Sequence, residues 1–321
     1  MRYLARRLSQ SLVLLFAVSL LSFIFADLAP GDYYSALRAD PRTSPETIAA
    51  MRARAGLDKP FPRRYGDWVI SAVRGDFGYS LAYNAPVGSL LWGRAGATLL
   101  LAGVAMALTW LIAIPLGVWN AAVRGTWRDR VSRIVMTVLL AVPDLLLAIL
   151  FLLIAVQTGW FPIGGEFSRG FDGMTLPQRI RDVAWHMTLP AGVLVLGMLP
   201  VLVRHTRASV VQEMDAPFAL NARAMGVPRR RLLFRHVLPA AANPLVALLG
   251  FSFGTLLSAG LIVEVVMGWP GLGPFFVEAI LARDFAVVLA VVMLSTTFLV
   301  LGNLSADLLL YRLDPRIRSE M

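Results

Sequence analysis

The chain contains no cysteine, which excludes disulfide bridges and thiolate metal sites and says nothing about compartment. It contains one lysine, Lys59, beside twenty-nine arginines. A phosphate-binding GxxxxGK[ST] loop needs a lysine, and the residues around Lys59 do not form one, so the usual P-loop nucleotide site is excluded. Charged residues make up only 16% of 321, too few to cover a soluble domain of this length. Short alternating segments of the kind that build a β-barrel are missing as well. The three histidines, His186, His205 and His236, are dispersed without metal-ligand spacing, and structural roles are expected for them. No HExxH sequence or nucleophile–base pair is visible, which argues against an intramembrane hydrolase.

Apolar sequence is what the chain has in abundance. Hydrophobic residues make up 57% of it and its mean hydropathy is +0.68. Several runs approach or exceed the roughly 18 apolar residues that cross a bilayer. The expected fold class is an all-α polytopic membrane protein with six transmembrane helices, at residues 12–28, 97–119, 134–156, 187–203, 245–267 and 286–311. Residues 1–28 then hold the first helix, 29–96 a long outer loop, 97–311 a five-helix core and 312–321 a tail. Arg2, Arg6 and Arg7 before an apolar run resemble a cleavable signal, but Ala26-Asp27-Leu28-Ala29 lacks the small-x-small spacing, so an uncleaved span is preferred. Inside the long loop, Ser44-Pro45-Glu46 reads as a helix start, Gly56 as its end, and residues 61–73 as another short helix.

Charge placement orients the spans. With the N-terminus inside, the four inner segments carry three, four, seven and three basic residues, and the two short outer loops carry three and one. The long loop carries nine, but loops above about 60 residues largely escape the positive-inside rule. Both termini are therefore expected inside. The net charge of +10 follows from this orientation; no aromatic-basic module points to nucleic acid.

The stretch from Glu213 to Pro244 reads as a helix, a sharp stop and a second helix. Asp215 can cap a helix, and Pro217 fits its first turn. Val211, Met214, Phe218, Ala222 and Met225 recur at helical spacing. Gly226 supplies the left-handed residue that ends the helix, and Pro228 prevents its continuation. Arg229, Arg230, Arg231 and Arg235 follow. A basic loop that only fixes topology and a docking element with an apolar face both fit this pattern. Four polar residues within or at the ends of spans stand out, Asp144, Glu264, Asn303 and Asp307. Asp144, after Pro143 near the middle of the third span, costs about 2.5–3.5 kcal/mol there, and a translocation path or a hydrogen bond to another span would accommodate it. Glu264 ends the fifth span, where gating and interface capping both fit. Asn303 lies near the inner end of the sixth, with Asp307 snorkelling to the interface.

The segment Asn221-Ala222-Arg223-Ala224-Met225-Gly226, with His236 and Pro244 behind it, resembles the coupling motif of ABC-importer permeases, and more narrowly the B-type permeases of the dipeptide/oligopeptide/nickel family. The likeness runs nearly end to end. It includes Leu28-Ala29-Pro30-Gly31-Asp32, Gly56-Leu57-Asp58-Lys59-Pro60 and Arg74-Gly75-Asp76-Phe77-Gly78. It continues through Thr98-Leu99, Pro115-Leu116-Gly117, Trp160-Phe161-Pro162, His186 to Pro190, Glu264 to Gly273, and Arg283-Asp284-Phe285. Five positions depart from the pattern: Met225 stands for a usual lysine or arginine, Pro217-Phe218 for an aspartate-tyrosine pair, Asp144 near a usual small hydroxyl, and Ala286 for a common proline.

The resemblance implies a bacterial inner-membrane permease subunit that is not itself an enzyme and forms half of a pathway for short peptides. Nickel, glutathione or another small solute is the alternative cargo. It implies a cytoplasmic coupling helix at residues 215–226, between the fourth and fifth spans, that docks in a separate ATPase. Asp215, Phe218, Ala222, Arg223, Met225, Gly226 and Arg230 would carry that contact, and Asp144, Glu264 and Asn303 would line a path or gate. The implied partners are a homologous second permease, two ABC ATPase subunits that bind the ATP, a periplasmic or lipid-anchored solute-binding protein, and membrane lipid. No cofactor is expected in this chain. An autonomous secondary transporter is the competing class, but no convincing repeat relates residues 1–157 to 158–321. A structural assembly factor is the third, and the intact coupling motif argues against it.

Overall fold

Proline and glycine set most of the boundaries in this chain. The computed structural model describes residues 2–31, 44–54 and 58–313. The expected helix end at Gly56, the motif residues Asp32 and Leu57, and the tail beyond Leu313 lie outside the described residues. Among those described, one two-stranded hairpin interrupts an otherwise helical chain. The helices are α1 (Arg2–Leu28), α2 (Pro45–Arg54), α3 (Phe61–Val73), α4 (Val87–Ala122), α5 (Trp127–Ala141) and α6 (Asp144–Thr158). They continue as α7 (Leu176–Met214), α8 (Pro217–Ala224), α9 (Arg229–Leu232), α10 (Leu238–Met267), α11 (Leu272–Leu281) and α12 (Phe285–Leu313). The hairpin pairs β1 (Tyr79–Ser80) antiparallel to β2 (Ala85–Pro86). Among the described residues, five helical runs are long and apolar enough to cross a membrane, and α5 with α6 makes a sixth if that bent pair is one span.

The chain divides into two compact units, residues 3–97 with 270–298, and residues 98–269 with 299 onward. In the first, α3 lies along α1. The Phe23 ring meets Phe61, Tyr65 and Trp68 at centroid distances of 5.5, 5.5 and 5.9 Å. Arg64 pairs with Asp27 at 2.7 Å, and the Tyr65 hydroxyl bonds Ser19 at 2.8 Å. The two short helices expected at Ser44 and at 61–73 are both present, the first capped by Ser44 Oγ, which accepts from Thr47 N–H at 3.2 Å.

In the second unit α7 is the central helix, and α5, α6 and α10 all pack on it. Its apolar stretch is 72% buried, against 11% for α1, which separates a core helix from one that faces its surroundings. It starts at Leu176, well before residue 187 where the fourth span was expected. The reason is local: Thr175 and Gln178 form a capping box, with Pro177 in the first turn, so the expected loop is helical from there on.

The third span is corrected more strongly. Instead of one helix over 134–156, α5 and α6 meet at a 94° bend. Pro143 has no N–H to give a helix, and it holds Val142 in an extended conformation (φ −87°, ψ 119°). Asp144 is therefore a first-turn residue of α6 rather than a mid-helix acid. The segment after α10 also differs from the expected loop, because the apolar helix α11 forms within it.

Close approach of α10 to α12 follows from small residues. A Cβ at Gly250 would lie 2.7 Å from Asn303 Oδ1 and 3.1 Å from Ala306 Cβ, and one at Gly254 would strike Leu299. Gly250 and Gly254 form a small-xxx-small pair of the kind that lets membrane helices touch. Between α4 and α7 lies an open apolar pocket of about 800 Å³ lined by Leu100, Leu108, Phe171, Ile180, Met187 and Val195, with Arg179 and Thr188 as its polar wall.

Candidate functional site: the corner between α7 and α10

The corner starts where α7 stops. Asp215 ends α7, its N–H donating to Val211 O at 3.2 Å. Ala216 is extended (φ −68°, ψ 151°) because Pro217 follows it, and α8 starts at that proline. Eight residues later the helix closes in a Schellman motif: Gly226 N–H donates to Arg223 O at 2.9 Å and Val227 N–H to Ala222 O at 3.0 Å. Gly226 has φ +79°, and nothing lies within 4 Å of where its Cβ would be, so the glycine is required by backbone conformation rather than by space. Pro228 then starts α9, and a π-helical turn at Leu233–Val237 joins it to α10.

A small apolar core holds the corner. Val118 and Ala121 of α4, Val210 of α7, Ala219 of α8, Leu232 of α9, Val237 and Ala241 are buried together. Val211, Met214, Ala222 and Val227 pack around them. The expected single apolar face thus divides in two. Ala222 turns inward with Val211 and Met214, while Phe218 and Met225 turn outward, 41% and 77% exposed, beside exposed Leu220. Arg223 and Arg230 are exposed at the surface. Ala222, expected to face a partner, is half-buried and packs against this core.

Asp215 is also corrected. No side chain caps α8, whose N-cap is Ala216. The Asp215 carboxylate instead accepts from Arg124 at 2.6 Å, across to the turn between α4 and α5. That turn contains residues the sequence reading passed over. Asp129, in the first turn of α5, is 1% exposed and is held in a bidentate pair by Arg207 of α7, Nε to Oδ1 at 2.8 Å and Nη2 to Oδ2 at 2.9 Å. Gly125 N–H donates to the same carboxylate at 3.2 Å, and Arg133 lies 3.7 Å from it. Arg229 donates to Ala122 O, the last residue of α4, at 2.5 Å. Its charge sits where the helix dipole is negative.

The three path candidates are not brought together. The Asp144 carboxylate sits over Gly197 of α7, and a Cβ there would strike it. Its place in the first turn of α6 puts its charge where the helix dipole is positive. Asn303 lies in the contact with Gly250. Glu264 is fully buried in the last turns of α10.

The first unit carries a second polar cluster that was missed. Asp284, buried, accepts from Ser80 Oγ at 2.6 Å and Ala82 N–H at 3.1 Å, and caps the start of α12 through Val287 N–H at 3.4 Å. Tyr83 donates to Glu278, and Arg94 stacks over Phe275 at 4.2 Å. The sequence signal was Asp284 one residue before a long apolar run, which is an N-cap pattern.

Comparison with known proteins bears on this arrangement. Residues 113–319 match the family described as binding-protein-dependent transport system inner membrane component, and residues 1–102 match its N-terminal companion. The oligopeptide transport system permease protein AppB of Bacillus subtilis is 33% identical over 98% of each chain. OppB of Mycobacterium tuberculosis, of the same description, is 33% identical over 99% of each. The glutathione transport system permease protein GsiC of Escherichia coli is 32% identical over 99% of each. Among solved structures, the MetNI methionine ABC transporter superposes with a TM-score of 0.57 at 19% identity, covering 70% of this chain and 96% of that one, which is a likeness of fold.

Proposed function

The chain belongs to the family of binding-protein-dependent transport system inner membrane components, and from that premise we propose that it forms half of a pathway for short peptides, moved by a separate ATPase through α8. It is a multi-pass permease component of an ABC importer in the bacterial inner membrane, and works with ATPase and solute-binding partners. In the proposed assembly a second, similar permease completes the path, two ATPase subunits bind the ATP, and the binding protein delivers solute from outside. The chain crosses the membrane six times, with the α5–α6 pair as one bent span and both termini in the cytoplasm. This places α8 on the cytoplasmic side. The chain performs no chemistry and carries no cofactor.

One observation carries the reading: α8 is clamped to its own core by Ala219 and Ala222 while Phe218, Leu220 and Met225 stay exposed on the far side. A short helix that is anchored behind and apolar in front is built to fill a partner's groove. Arg223 and Arg230 add directional donors for carboxylates beside that groove. ATP-driven closure of the ATPase pair would then tilt α7 and α10 as rigid bodies about the Gly226 corner. Asp144, Glu264 and Asn303, spread over α6, α10 and α12, act at most singly on the path.

The test is uptake in a strain lacking this chain, comparing labelled di- and oligopeptides with labelled glutathione and nickel, with and without ATP depletion. The expected result is loss of ATP-dependent peptide uptake, restored by the wild-type chain and not by Gly226→Val, with membrane insertion of the variant normal. Loss of glutathione or nickel uptake alone would keep the mechanism and change the cargo. Ion-gradient uptake by the purified chain alone would overturn the reading.

A further inference from the structure

We propose that the turn between α4 and α5 is a working part of the coupling element, and that Asp129 and Arg207 are the positioning residues that make this turn and the α7–α8 corner move as one body. The inference rests on the importer reading above, in which α8 is the driven helix.

Three polar links converge on one short turn, two from α7 and its C-terminal end and one from α9. Arg207 of α7 grips Asp129 through both guanidinium edges, at 2.8 and 2.9 Å. Arg124 reaches Asp215 at the start of the corner, at 2.6 Å. Arg229, at the start of α9, reaches the last carbonyl of α4. The turn is tight, with Gly125 at φ +81° and its N–H closed onto Asp129. Beneath these links Val118 and Ala121 of α4 share the core that holds Ala219 of α8. A surface loop that only joined two helices would need none of them.

Packing of α5 points the same way. Its residues are exposed except along Asp129, Ser132, Met136 and Leu139, a single stripe at helical spacing. Its neighbour across that stripe is α7. At the far end of α5, Val142 and Pro143 break the backbone before α6, and in this proposal the break serves as a hinge. An element pinned at one end by a bidentate ion pair and hinged at the other is a lever. Displacement of the α7–α8 corner is thereby delivered to α4 and α5, and not only to α7 and α10. Arg207 is suited to this and lysine is not, since only the planar fork fixes both distance and direction.

The absence of cysteine makes the test direct. Spin labels at Thr126→Cys, on the turn, and Gln212→Cys, on the exposed side of the last turn of α7, report their separation in the reconstituted importer. With the clasp closed, the interspin distance in the otherwise unmodified chain stays within about 2 Å between the nucleotide-free and ATP-trapped states. A change well beyond that would overturn the proposal without any further variant. Arg207→Lys keeps the charge and removes the fork. It is expected to assemble and hydrolyse ATP, to let the interspin distance change with ATP, and to move about five-fold less peptide per ATP. An unchanged peptide-to-ATP ratio in Arg207→Lys would also overturn it. If the complex without substitutions showed no ATP-dependent uptake, the importer reading itself would fail, a result distinct from these.

Discussion

Two buried carboxylates hold two turns of this molecule, and they are satisfied in opposite ways. Asp129 in the second unit is neutralised by the Arg207 guanidinium, with Arg133 at its edge. Asp284 in the first unit is held by a serine hydroxyl and two backbone N–H groups, with no cation among its hydrogen-bond donors. The first arrangement joins elements far apart in the chain, the second fixes a hairpin and starts a helix. A largely buried ion pair fails badly when one half is removed, because the remaining charge loses its main compensation. Neutral donors left without their acceptor are a smaller loss. The α7–α8 corner should therefore be the more fragile to single substitution and the more tolerant of paired substitution.

The largest expected effect tests this directly. Arg207→Met should destabilise the protein by about 3–5 kcal/mol, and Asp129→Leu added to it should recover most of that, because an apolar pair of similar volume replaces a buried ion pair at little cost. Asp284→Leu should cost about 1–3 kcal/mol, for the stranded Ser80 and Ala82 donors. Thermal unfolding of the purified complex in detergent orders the three. If the single Arg207 variant were no worse than the Asp284 one, the contrast between the clusters would be lost.

Backbone conformation gives the next effect. Gly226 and Asn84 both have positive φ, +79° and +49°. Asn84 is an asparagine that tolerates this and accepts from the Tyr79 hydroxyl at 2.7 Å. Gly226→Val should cost about 1–2 kcal/mol of backbone strain and distort the Schellman turn, so peptide uptake should collapse. Gly226→Asn should keep much of the uptake, since asparagine also occupies that region, and Asn84→Gly should leave it unchanged. Equal losses for valine and asparagine would mean that side-chain bulk matters at the corner, contrary to the open space around Gly226.

Those residues also show how far the chain could be read in advance. Gly226 and Pro228 are punctuation, and punctuation is local, so the corner was legible to the residue. Pro143 is punctuation too, but its signal was overridden by the apolar run on both sides, and the break in the third span was missed. Asp215 was read as a cap because capping residues are common before helices; the stronger rule was that Pro217 forces its neighbour Ala216 into the cap conformation. Thr175 and Gln178 formed a legible capping box that went unread. The pair Asp129–Arg207 spans 78 residues and depends on how α5 lies against α7, so no local pattern contains it. The inward turn of Ala222 is of the same kind, since helical spacing finds a face but not what the face meets.

Acidity separates the clusters in a further way. Burial, and then the hydrogen bond to Glu278, push the Tyr83 phenol from 10.0 up to about 12. The fold therefore favours the protonated phenol. The stability it contributes is complete below about pH 10 and is lost as the pH rises through about 12. Between pH 9 and 12 the thermal midpoint should fall for the wild type and fall less for Tyr83→Phe. A slope indifferent to Tyr83 would remove the phenol from the account of the hairpin.

The smallest effect belongs to Arg124 and Asp215. Their side chains are 53% and 57% exposed, and an ion pair in that setting is worth about 0–1 kcal/mol, less as salt rises. Arg124→Ala should therefore hardly move the thermal midpoint, while Arg207→Met moves it far. The two pairs touch the same turn, so stability and coupling can be separated by comparing them. If Arg124 serves only to fasten the turn, the peptide-to-ATP ratio should stay as nearly unchanged as the midpoint. If the turn is a lever, the exposed pair sets the angle at which the α7–α8 corner meets it, and the ratio should fall measurably at unchanged stability. Raising the salt should weaken the wild-type ratio toward that of Arg124→Ala and leave the variant where it is, because screening acts on the exposed pair far more than on the buried one.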